Sequence, residues 1–271
     1  MNKSDSCARW TRRQLLLAAA LGTGATLFSS PKQATAIGDL SKIKLARLRY
    51  QGGATSRASS LFVWSQQIRQ QTSVDTSLEV HEIGLLDKDL FRFPFITMVG
   101  DRGFLRFPAR HSERLKLWLE AGGTLFVDNV GPMGPSDSFD LDFRAEMERI
   151  FPRTPINRIS PEHVLYRSFY RLDYPAGRLI ARPFLEGITL DKRLAVIYSQ
   201  NDITGALSQD TTGQWEYDCR PGGESQRSMA LRMAVNIVEY VLCQDYKDDQ
   251  VHLDYLLHKR NWKIKVNKEP N

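Results

Sequence analysis

The chain has 271 residues, with 37 Lys and Arg against 31 Asp and Glu, a formal charge of +6 and three cysteines. Residues 1–36 hold Lys3, Arg9, Arg12, Arg13 and Lys32 against Asp5, a net of +4, so the rest of the chain carries only about +2. That balance, with no basic stripe interleaved with aromatics, gives no footing for nucleic-acid binding. Only Cys219 and Cys243 lie beyond this segment, which excludes a disulfide framework and, with no CxxC or Cys/His cluster, a structural zinc.

The first 36 residues read as an export signal. Arg9, Arg12 and Arg13 precede a 14-residue apolar run from Leu15 to Phe28, and Ala34-Thr35-Ala36 puts small residues at the cleavage positions. The run is too short for a good membrane span. Thr11-Arg12-Arg13-Gln14-Leu15-Leu16 fits the twin-arginine (Tat) pattern, which sends a protein across the membrane already folded. A periplasmic or exported protein is expected, held at the membrane only if the signal is uncleaved.

Ile43 to Tyr50 alternates and predicts a first strand. Gln51-Gly52-Gly53-Ala54-Thr55-Ser56 follows; it is neither GxGxxG nor a Walker A, so a tight turn is expected ahead of phosphate binding. Leu61, Trp64 and Ile68 predict a helix with Ser59 or Ser60 as its cap, and Leu78 to Ile83 a second strand with His81 on its solvent side.

Phe95 to Val99 is an apolar run closed by Gly100, as expected of a strand covered on both faces. Pro108 suits a helix start, Leu115, Trp118 and Leu119 recur at helical spacing, and Gly122-Gly123 supplies the stop. Thr124 to Val127 is the next strand. A strand–helix–strand unit of this length predicts parallel pairing, with Asp101, Asp128 and Asn129 at the strands' carboxyl ends.

Phe139 to Phe151 predicts a helix, ended by Pro152 and Pro155. Residues 153–190 give no clear assignment beyond an edge strand near Phe169-Tyr170. Leu194 to Tyr198 predicts a further parallel strand opening into the acidic loop at Asp202, and Ser225 to Cys243 a largely buried helix. With no internal repeat, residues 37–258 read as a single domain followed by a basic tail, 259–271.

Several of these stretches, in order, resemble a bacterial family, domain of unknown function 4159. The carriers are Leu45-Ala-Arg-Leu-Arg-Tyr-Gln-Gly-Gly53, Phe95 to Gly103, Leu119-Glu-Ala-Gly-Gly-Thr-Leu-Phe-Val-Asp-Asn129, Val196-Ile-Tyr-Ser-Gln-Asn-Asp202 and Ala234 to Leu242, followed by Tyr246 to Leu253. The resemblance implies a flavodoxin-like three-layer α/β sandwich with a mostly parallel central sheet, similar to class I glutamine amidotransferases. Those enzymes need a cysteine at a strand-to-helix elbow. Here the position falls near Asp128 or Asn129, so glutamine hydrolysis is not expected.

The remaining candidates are Asp101, Arg102, Asp128, Asn129, His163 and Asp202. If they converge, they contact a small ligand or an envelope protein partner, or else activate water for hydrolysis, with or without a metal. Against this stands the common use of Asp and Asn as caps and turn formers. The reading is a non-catalytic binding domain with no cofactor and no metal, and with hydrolysis as the alternative.

Overall fold

The computed structural model describes residues 42–51, 57–131, 134 and 136–259, with side chains of the last helix described as far as Leu242. The signal segment, most of the Gly-bearing loop and the extreme C-terminus lie outside the described residues. Along the chain come β1 (Ala46–Leu48), α1 (Ser60–Gln71), β2 (His81–Ile83), β3 (Phe95–Gly100), α2 (Ala109–Glu120) and β4 (Thr124–Asn129). Then follow α3 (Ser138–Ile150), β5 (Asn157–Arg158), β6 (Glu186–Leu190), β7 (Arg193–Ser199), α4 (Ile203–Ala206) and α5 (Gly223–Lys259).

The seven strands form one sheet in the order β2-β1-β3-β4-β7-β6-β5. The first five are parallel, and β6 and β5 add an antiparallel edge. Every residue of β3 and β4 is buried, as helices on both faces require.

Period-2 alternation sorts the strand side chains between two cores. Phe95, Phe126 and Ile197 face α1, α4 and α5, where Trp64 stands edge-on to Phe95 at 5.6 Å and to Phe126 at 5.3 Å. Ile96, Met98, Leu125, Val127 and Tyr198 face α2 and α3, with Trp118, Phe139 and Phe143. Burying each large side chain of this kind contributes about 1.5–3 kcal/mol. The helix of the β1–β2 crossover and that of the β3–β4 crossover lie on opposite faces, as right-handed connections running in opposite directions demand.

Local signals end the elements where expected. Gly122, at φ +114°, takes the left-handed turn after α2. Asp137 caps α3 by accepting from the backbone N–H groups of Phe139 and Asp140.

Three departures occur in the less patterned stretches. β1 and β2 are three residues each, with Ile43 making only an isolated bridge to Thr76. Phe169-Tyr170 is not a strand; the edge is β5, paired with β6 inside the unassigned stretch. The last helix continues past Cys243 to Lys259, because no Gly or Pro interrupts it there. Among the described residues, no helix is long and apolar enough to cross a membrane.

Candidate functional site

The carboxyl ends of β4 and β7 meet in register, with Asp128 opposite Ser199 on one side and Val99 of β3 on the other. Asp128 follows the parity of Phe126, so its side chain lies on the α1/α4/α5 face. It is wholly buried there. Its Oδ2 accepts from the Thr204 backbone N–H at 2.7 Å and from the Thr204 hydroxyl at 2.6 Å. Its Oδ1 makes no well-aligned hydrogen bond among the described residues, although the Ser199 hydroxyl stands close enough to act on the carboxylate. Burial, and next the negative charge of Asp202, push the Asp128 carboxyl up to about 7, while the hydroxyls of Thr204 and Ser199 pull the other way.

Asp202 is the second buried carboxylate, 1% exposed. Its backbone is left-handed at φ 54°, an uncommon state for a residue with a side chain. In that state its Oδ1 accepts from the Gly205 N–H at 2.8 Å, capping the short α4. Arg57 grips the same carboxylate with two parallel bonds, Nε to Oδ1 at 3.0 Å and Nη2 to Oδ2 at 2.8 Å. The Arg57 guanidinium lies 3.8 Å over the Tyr217 ring. Burial alone would lower its pKa, but the hydrogen bond and charge of Asp202 outweigh that and raise it.

A second cation reaches Asp202 from the irregular stretch. Arg178 donates from Nε to Oδ2 of Asp202. Its position is set by backbone: Arg178 N donates to Asp202 O at 2.9 Å, and Leu179 N to Asn201 O at 3.0 Å. Asn201, fully buried, fastens the same segment by donating to Pro175 O and Arg182 O. Gln226 of α5 holds the other side through the carbonyls of Gly177 and Arg178. The Arg178 side chain stays 25% exposed, and its Nη1 and Nη2 have no partner among the described residues.

The six expected residues do not form one site. Asp128 and Asp202 come together. Asp101, at the end of β3, pairs with the exposed Arg102, which is the main reason its carboxyl lies below the usual range, and it also feels the charge of Arg57. Asn129, one residue past Asp128, points to the other face. It donates to Asp137 at 2.5 Å and accepts from Gly131 N, beside a satisfied chain of Tyr198, Asp140, Arg144 and Glu186.

His163 lies at the opposite end of the sheet. Its Nδ1 accepts from Leu165 N and its ring packs on Tyr240, whose hydroxyl accepts from Leu194 N near the start of β7. It is a turn cap, with its pKa lowered first by burial and then by Arg167. His81, expected on a solvent side, is half-buried against Phe93.

Sequence reasoning missed Arg57, Arg178, Thr204 and Tyr217. Arg57 adjoins the Gly-bearing loop and could have been found there. Arg178 gave no local signal, because its place depends on backbone bonds from Arg178 to Asp202 and from Leu179 to Asn201, far along the chain.

Among the described residues, no group of three or more His, Cys, Asp or Glu stands close enough to hold a metal. The arrangement offers instead a titratable carboxyl with an unpartnered oxygen, next to an ion-paired acid shared by two arginines. Residues 44–242 match the family described as Domain of unknown function (DUF4159). No curated protein matches the chain.

Proposed function

The chain thus belongs to the DUF4159 family, and from that premise we propose that it is an exported, non-catalytic domain that binds a small ligand at the carboxyl edge of its sheet. Asp128 carries the reading: wholly buried, raised to about 7, with one oxygen unpartnered, at the end of a central parallel strand. A buried polar atom without a partner costs about 1–3 kcal/mol, and such a cost concentrates at functional sites.

The parallel order β2-β1-β3-β4-β7 supports a flavodoxin-like reading, in which ligands bind outside the carboxyl ends where the order reverses. That reversal falls between β1 and β3, and Arg57 and Asp101 follow these two strands. The same order supports the likeness to class I glutamine amidotransferases. No cysteine stands at the carboxyl end of β4, where Asp128 and Asn129 are found, and the buried thiol of Cys219 has a pKa raised by burial, the opposite of an activated nucleophile.

A thermal-shift screen of small metabolites tests the site. A ligand at about 100 times its Kd should add roughly 2.7 kcal/mol to the wild type and far less to Asp128→Ala. If no compound stabilises the wild type, the edge belongs to an envelope protein partner, to be sought by co-purification. A carboxyl near 7 also suits general acid–base work, so hydrolysis is the second reading. It requires turnover of an ester or phosphoester that Asp128→Asn abolishes. Export rests on the twin-arginine pattern, and continued signal processing in the Arg12→Lys, Arg13→Lys double variant would argue against Tat.

A further inference from the structure

We propose that this edge takes an oxyanion, the carboxylate or phosphate group of a small ligand, on the outer end of Arg178, and that the anion binds together with a proton on Asp128. The proposal rests on the ligand-binding reading above and gives the ligand's chemical class.

The guanidinium of Arg178 is held by its inner nitrogen on Asp202 and by backbone bonds on both sides. Among the described residues its outer N–H groups make no hydrogen bond and present the planar fork that suits carboxylate and phosphate oxygens, and the guanidinium lies 5.9 Å from the centre of the Tyr217 ring. It is therefore pre-oriented, and little rotamer freedom remains to be lost on binding.

The charge count favours an anion. With Asp128 ionised, two carboxylates face two guanidiniums, Arg57 and Arg178. A proton on Asp128 leaves both guanidiniums against Asp202 alone, and an arriving anion restores the balance where charge is poorly screened. That proton also turns the unpartnered Oδ1 region into a hydrogen-bond donor. A cation would meet two guanidiniums and gains nothing here.

The surroundings of Asp128 leave it as the group whose proton is at issue. Ser199 faces it from β7, Thr204 from α4, Asp202 from the connection between them and Arg57 from the entry to α1. β3 contributes Val99 in register. Tyr217 and Asp101 act on Arg57, and the buried Cys219 lies within reach of Asp202 and Arg178.

Sulfate and acetate keep their charge between pH 6 and 8, and serve as probes on the full chain at ionic strength matched with sodium chloride. Saturable binding by calorimetry is expected, about tenfold tighter at pH 6 than at pH 8 for one linked proton. Asp128→Asn should bind with no pH dependence, Arg178→Gln should lose at least tenfold in affinity, and Arg178→Lys should recover part of it. Preference for sulfate assigns a phosphate group, preference for acetate a carboxylate. Binding no better than chloride, a pH dependence retained in Asp128→Asn, or an unchanged Arg178→Gln overturns the proposal. If both anions fail while uncharged metabolites still stabilise the protein, the oxyanion falls and the ligand site stands. If nothing binds, both fall.

Discussion

Asp128 and Asn129 are adjacent in the chain but serve opposite faces of the sheet, and among the described residues only the first keeps an oxygen without a well-aligned hydrogen bond. The raised pKa of Asp128 has a definite sign in stability. Its folded value, about 7, lies above the ordinary carboxyl value of 3.8, so the native state binds more protons between those limits. Stability then falls as pH rises through that window and levels off above it. Asp128→Asn should remove this loss, gaining on the order of 3 kcal/mol on the wild type between pH 4 and pH 8. Parallel urea titrations of the two proteins at both pH values check it, and equal pH profiles would sink it. Arg57→Ala leaves Asp202 buried with Arg178 as its remaining cation among the described residues, and should cost about 3–5 kcal/mol by the same method. A cost under about 1 kcal/mol would mean that Asp202 finds other partners or solvent.

At the scale of elements, the sequence exposed what periodicity encodes and hid what long-range bonding builds. β3, α2, β4, α3 and β7 lie within one or two residues of their predicted bounds, because apolar runs, helical spacing and Gly stops are local signals. β5 and β6 were not legible. β6 has an exposed edge partner of only two residues, and its pairing with β7 carries a register shift between Ile188 and Thr189. The acids at the strand ends were legible as a place, whereas their arginine partners depend on tertiary contact. The packing makes its own demands. Trp64 joins α1 to α5 through a 2.8 Å bond from Nε1 to Ala234 O and fills the space between Phe95 and Phe126. Trp64→Ala should therefore cost about 3–5 kcal/mol in chemical denaturation. A Cβ at Gly205 would run into the Asp202 carboxylate, so Gly205→Ala should destabilise by about 1–3 kcal/mol and disturb the Arg57 pair. Wild-type stability in Gly205→Ala would show that α4 can shift at little cost.

Across the whole molecule, stability should grade from the centre of the sheet to its edges. β3, β4 and β7 are buried on both faces, whereas β5 is exposed and β2 is half so. Amide exchange in β4 should be slower than in β5 by orders of magnitude, approaching the global unfolding rate. Uniform protection across the sheet would contradict this. The Arg57–Asp202 pair adds a kinetic consequence. Its partners are 145 positions apart, so closing that loop comes late, after the intervening strands have joined the sheet. A contact missing from the folding transition state governs how fast the native state is lost, not how fast it is reached. Arg57→Ala should thus accelerate unfolding while leaving the refolding limb of the chevron nearly unmoved, which would make this buried pair the latch that sets the protein's lifetime.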